Sequence, residues 1–181
     1  DGSIQAAQSA AVYLAKKIWD ARHEFKYGCE TAELEEGVSR ALAANESTVF
    51  LTDSGDNVTA STPGDIPKVL RHLVQNKVKS AVVACINDAD ALQRCVTAGE
   101  GSRIRISIGA TIEKRYGPPL ESEVEVVRLI KQPKMAVIKT DSIEVILTEE
   151  PSTFTNISQF EQCRINPLER KIVVLKMGYL F

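Results

Sequence analysis

Histidine is scarce in this 181-residue sequence. There are two, His23 and His72, and neither sits in an H-E-x-x-H or comparable metal spacing. No C-x-x-C pair occurs among Cys29, Cys85, Cys95 and Cys163, which excludes a zinc ribbon or dithiol redox motif and leaves thiols expected to be free and buried. Phosphate loops of the G-x-G-x-x-G and G-x-x-x-x-G-K-[ST] types are missing, as is the G-x-S-x-G elbow of serine hydrolases. No apolar run approaches the roughly 20 residues of a membrane helix, and the start lacks the basic-then-apolar pattern of a secretory signal, so no membrane partner is expected. Positive charge is not in excess either: 22 Lys and Arg face 24 Asp and Glu, a net charge of -2, and no nucleic-acid partner is expected. What is left is a globular composition, 44% hydrophobic and 25% charged, of a length that suits one domain or two small ones. Three N-x-[ST] triplets, at Asn45, Asn57 and Asn156, would accept glycans in a secreted protein. Without a signal or a disulfide pattern beside them they read as coincidence, and the chain is expected in the cytoplasm.

The apolar pattern places elements along the chain. Ile4 to Phe25 has nearly helical spacing, with Lys16, Lys17, Arg22 and His23 for a wet face. After Gly28 a second helix is expected from Thr31 to Leu42, with acidic residues in its first turns. Thr48 to Leu51 and Ser80 to Ile86 read as buried parallel strands, with a helix between them that Thr62 would cap and Pro63 would begin. Asn87-Asp88 would cap a further helix that ends at Gly99. The order strand, helix, strand, helix is a βαβ unit.

Alternation then takes over in Arg103 to Ile108, Glu121 to Ile130 and Ser142 to Thr148, broken at Gly117-Pro118-Pro119 and Gln132-Pro133. A helix from Ser158 to Cys163 and a strand from Lys171 to Lys176 would close the chain. The fold class is therefore α/β: a parallel or mixed sheet layer with a βαβ unit and an inserted antiparallel β subdomain. Four segments make it up, leading helices at 1–45, a βαβα segment at 46–100, a β-rich insertion at 101–150 and the closing helix and strand at 151–181. The chain starts without Met and stops in an apolar run, so both ends are read as cut from something longer.

Residues 52–65 carry the densest chemistry. They leave the carboxyl end of a buried strand, where open α/β sheets place ligands, and they hold Asp53, Gly55, Asp56, Asn57, Pro63, Gly64 and Asp65. Glycine lets backbone approach a ligand, and three aspartates suit a cation or a substrate amine rather than a bare phosphate. The same residue types make an ordinary capped turn, so the spacing alone leaves both readings open. As an exposed loop it is expected to affect activity more than stability when Asp56 or Asn57 is replaced by alanine. No residue is assigned a catalytic or metal-ligating role; Glu149 and Glu150 follow a strand, where adjacent residues point to opposite faces, and make a poor acid/base pair.

Taken in order, Asp53-Ser-Gly-Asp-Asn57, Ser61-Thr-Pro-Gly-Asp65, Ala81 to Ile86 with Asp88, Gly117-Pro-Pro-Leu120 and Arg170 to Lys176 resemble the carboxy-terminal region of the microcystinase C (MlrC) metallopeptidase family. The resemblance runs from about Trp19 onward. It implies a two-domain, zinc-dependent hydrolase of peptide or amide bonds whose metal ligands, an Asp and histidines, lie in an amino-terminal domain. On that reading the zinc belongs to the full-length protein and not to this fragment, which alone is expected to be inactive. Its partners would be its own amino-terminal domain and a peptide or amide substrate. Two further readings are a non-catalytic module that binds a small ligand or partner through the same loop, and a structural domain that forms a homo-oligomer through an exposed β edge.

Overall fold

The computed structural model describes residues 2–178, so the last three positions of the closing apolar run lie outside the described residues. The chain divides into two compact units, 1–31 and 32–181. The first is built on α1 (Ile4–Asp20), whose start is capped by Ser3 accepting from the Ala6 N–H. None of the α1 residues is buried; Ile4, Leu14, Ile18 and Trp19 are all exposed.

The second unit is one seven-stranded sheet with helices on both faces. Its elements are α2 (Leu34–Ala43), β1 (Val49–Thr52), α3 (Lys68–Gln75), β2 (Ala81–Asn87), α4 (Ala89–Ala98), β3 (Arg103–Ile108), β4 (Leu120–Ile130), β5 (Met135–Thr140), β6 (Ile143–Thr148), α5 (Ile157–Gln162) and β7 (Ile172–Leu175). Strand order is β1-β7-β2-β6-β5-β4-β3. The first four in that order run parallel, and β6, β5, β4 and β3 pair antiparallel. This is the expected mixed α/β layer, with the antiparallel strands continuing the parallel ones in a single sheet. The closing strand does not add to an edge: β7 inserts between β1 and β2, so the two strands of the βαβ unit never touch.

Strand alternation splits the core into two layers. Ile172 and Val174 of β7, Ala81, Val83 and Ile86 of β2, and Val145 and Leu147 of β6 face Val38, Leu70, Leu73, Leu92 and Cys95 from α2, α3 and α4. Val173, Leu175, Val82, Ala84, Cys85 and Ile146 face Phe154, Phe160 and Cys163 around α5. Ala84 and Cys85 share a face because the β2–β6 register shifts between Ala84 and Ile86. Strands covered on both sides read as continuous apolar runs, which is why β2 and β7 were legible.

Three expectations need correction. The helix expected at Pro63 begins at Lys68, with Pro67 in the cap position. Ile66 precedes a proline and is disfavoured in helical geometry, and Gly64 takes φ +71°, so 63–67 cannot be a first turn. Thr62 caps nothing, and its buried Oγ1 has no partner among the described residues. The strand β5 was missed, because Gln132-Pro133 reads as a break and Met135 to Ile138 is too short a run to declare itself. Finally, Cys29 is exposed, whereas Cys85, Cys95 and Cys163 are buried and free. Burial raises those three thiols, Cys85 to about 12 and Cys95 and Cys163 to about 11 each, which makes them poor nucleophiles.

Candidate functional site

Among the described residues, the carboxyl ends of β1, β7 and β2 gather most of the buried polar side chains: Asp56, Asn57, Asp65, Asn87, Asp88 and Lys176. Lys176 is the hinge of the arrangement. It follows β7 directly, is 1% exposed, and its Nζ reaches Asp53 Oδ2 at 3.1 Å, Asp56 Oδ2 at 2.8 Å and the Ile66 carbonyl at 2.7 Å. The ammonium thus donates hydrogen bonds to Asp53 and the Ile66 carbonyl and is ion-paired with Asp56. Asp56 also accepts from the Gly64 N–H at 2.9 Å and the Ile66 N–H at 2.8 Å, which folds 57–63 into a closed lobe above the strand ends.

The expected site residues therefore separate into two sets. Asp56, Gly64 and Asp65 are buried and their polar atoms are engaged inside the protein. Gly64 serves internal packing, since a Cβ there would lie 2.5 Å from Val58 Cγ1. Its carbonyl accepts from the Asn87 N–H at 3.0 Å, and the Pro63 carbonyl accepts from Asn87 Nδ2 at 3.1 Å. Asn57 turns inward on its own loop, its Oδ1 accepting from the Thr59 N–H at 3.0 Å and the Thr59 hydroxyl at 2.6 Å. Gly55 is exposed, and Asp53, only partly covered, gives one oxygen to Lys176 and turns the other toward Gly55, whose position for a Cβ is 3.6 Å away.

Asp65 and Asp88 tie in a second loop. Asp65 accepts from the Ile112 N–H at 2.6 Å, the Glu113 N–H at 3.1 Å and the Thr111 hydroxyl at 3.2 Å. Asp88 caps α4 through the Ala91 N–H at 2.9 Å and accepts the Gly109 N–H at 2.7 Å with its other oxygen. Burial lifts the Asp88 carboxyl above its ordinary range, against the two amides that pull it down. Gly109 has φ +72° and a Cβ would fall 2.4 Å from the Asp65 carbonyl, so only glycine lets the two segments meet. At the loop tip, hydrogen bonding from Arg115 draws the Glu113 carboxyl down to about 2.

Sequence reasoning found the loop but missed its anchors. Lys176, interrupting the apolar stretch Ile172 to Met177, was the one available signal, because a lysine inside such a run needs a buried carboxylate. Among the described residues no group of three or more His, Cys, Asp or Glu side chains is placed to hold a metal. The carboxylates that do gather are already taken by Lys176 and backbone N–H groups, so the residues present do not fit a metal. A groove of about 550 Å³ along α4, lined by Asp90, Gln93, Arg94, Thr97 and Ile104, contains none of the expected site residues.

The MlrC C-terminus family matches residues 51–181, from the second half of β1 through Lys176 and onward. The chain belongs to that family. Its fold is similar to the crystal structure of a protein from Mesorhizobium sp. BNC1 named "putative metallopeptidase", with a TM-score of 0.78 at 21% identity. The similarity covers 91% of this chain and 36% of that protein, so the chain spans little more than a third of its length. No curated protein matches the sequence.

Proposed function

We propose that this chain is the carboxy-terminal domain of a hydrolase that cleaves peptide or amide bonds, and that its loop 53–65 forms part of the substrate cleft. The metal of the reaction, zinc in this reading, is held by residues outside the chain, in an amino-terminal domain that is its direct partner in a cytoplasmic protein. When bound there, zinc would activate water and polarise the scissile carbonyl. The work of this chain is orientation and exclusion of solvent. Asp53 and Gly55 form the rim that meets the substrate, while Asp56, Asn57, Pro63, Gly64 and Asp65 hold that rim in shape. The observation that carries the reading is the buried Lys176–Asp53–Asp56 cluster at the strand ends, inside the segment that defines the family. Polar burial of this kind is not needed to close a sheet, and it fixes a loop that would otherwise sample many conformations.

The test uses the full-length protein. Elemental analysis should give about one tightly bound metal per chain, and a panel of short peptides and amides should include substrates that it hydrolyses. Asp53→Asn, which keeps an acceptor for Lys176, should lower kcat/KM by roughly tenfold, about 1.4 kcal/mol, in protein that remains folded at the assay temperature. A metal-free protein without hydrolytic activity would remove the reading, and an Asp53→Asn protein with normal turnover would remove the loop from it.

A further inference from the structure

Neighbouring antiparallel strands can be joined by a turn of about two residues. β3 and β4 are joined instead by 109–119, and this segment is strapped down at three places by side chains from three other parts of the unit. Asp88 holds the Gly109 N–H, Asp65 holds Thr111, Ile112 and Glu113, and Arg71 of α3 donates to the Pro118 carbonyl. The Asp65 backbone adds a fourth tie, its carbonyl accepting from the Ala110 N–H at 2.7 Å. Asp65 is 0% exposed and faces no cation among its hydrogen-bond partners, an expensive burial whose effect is to hold this loop.

What the straps hold outward is apolar. Ile112 is 67% exposed and Tyr116 54%, on a segment whose backbone is otherwise pinned. Arg115 pairs with Glu113 at 2.5 Å and lies 5.9 Å from the Tyr116 ring centroid, which leaves the loop tip close to neutral apart from Lys114. Single exposed apolar residues are common on any surface. An aromatic and a branched aliphatic side chain on a rigidified loop are different, because ordering has been completed before a ligand arrives. Asp65 also joins this loop to 53–65, so the two segments share one anchor.

We propose that Ile112 and Tyr116 are specificity-determining residues of the cleft, contacting an apolar side chain next to the scissile amide of the substrate. This rests on the hydrolase reading above. The full-length protein would be assayed with paired dipeptides, Leu-Gly and Phe-Gly against Gly-Gly. The wild type should prefer the apolar member, and Tyr116→Ala and Ile112→Ser should each reduce that preference about tenfold, chiefly through KM, as the loss of one apolar contact does. Lys114→Ala on the same loop should keep it. Preferences equal to wild type in both variants would overturn the proposal. A second measurement does not depend on turnover: the Ile112 δ1-methyl resonance of the full-length protein should shift saturably with leucinamide and not with glycinamide. No shift, or equal shifts, would overturn the proposal even where peptides are cleaved. A leucinamide-specific shift in a protein that cleaves nothing would support the apolar contact and remove the hydrolase reading alone.

Discussion

The parallel and antiparallel halves of the sheet both contribute strands to the core, but they bury different chemistry. In β4, β5 and β6 the interior is Val, Ile, Leu, Ala and Met, and the polar exceptions are Thr140, which shares a hydrogen bond with Ser122, and Thr148 at a strand end. Around the carboxyl ends of β1, β7 and β2 the interior holds a lysine, three aspartates and two asparagines. The first half follows from hydrophobic transfer and close packing alone. The second places charges where each must be matched or it destabilises the fold, and a stable sheet does not require that. Charge burial concentrated at one end of a sheet marks the end where a defined surface is being held.

The comparison can be broken most decisively at Lys176. Lys176→Met should destabilise the protein by about 3 to 5 kcal/mol in chemical denaturation, because Asp56 would remain buried without its cation. A loss below about 1 kcal/mol would mean that the cluster is solvated and the contrast between the halves is false. In the apolar layers the reference is Leu73→Ala, at about 2 to 5 kcal/mol, since Leu73 is 0% exposed and would leave a cavity.

Asp65→Ala should cost about 1.5 to 3 kcal/mol for the lost charge-assisted bonds. It should also speed hydrogen exchange at the Ile112 and Glu113 amides while leaving those of β5 protected. This separates anchoring of 109–119 from general loosening.

Asp88 gives a pH signature. Its carboxyl is raised by burial, so the folded state holds the proton more tightly than the unfolded chain, and the slope of stability against pH is negative. Stability from this group is greatest below the unfolded value of about 3.9 and is lost as pH rises through the raised folded value. The denaturation midpoint of Asp88→Asn should lack that part of the decline. The smallest effect is expected in the antiparallel half: Arg103→Ala removes a 3.6 Å pair with Glu125 across exposed strands and should change stability by less than about 0.5 kcal/mol.

The expectation that loop 53–65 would be an exposed loop of little weight for stability fails for Asp56, which is 1% exposed. From the sequence, Asp, Ser, Gly and Asn in succession look the same whether they face water or a buried lysine. The partner that decides the matter is 120 residues further along, and no local pattern links Asp56 to Lys176. The same limit explains Pro63. Thr62-Pro63 is a sound helix start by local rules, but Asn87 and Asp56 claim the backbone of 63–66 for contacts that helical geometry would not allow. The missed β5 has a different cause, a short apolar run that becomes a strand because β4 and β6 flank it.

The order of apolar runs, their periods and the capping residues determined by themselves that this chain is an α/β protein with strands near 50, 83, 106, 125, 145 and 173, and with an acid-rich loop after the first. Those signals are local, set by side-chain periodicity and by the hydrogen-bonding needs of helix ends. Only the tertiary structure decided that β7 lies between β1 and β2. That single placement brings Lys176 to the strand ends beside Asp53 and Asp56. Likewise, nothing near Gly109 announces that β3 and β4 return their connecting loop to Asp65 and Asp88. Strand order and the matching of buried charges depend on contacts between residues far apart in the chain, where the free energy of burial is collected only after the whole sheet has formed.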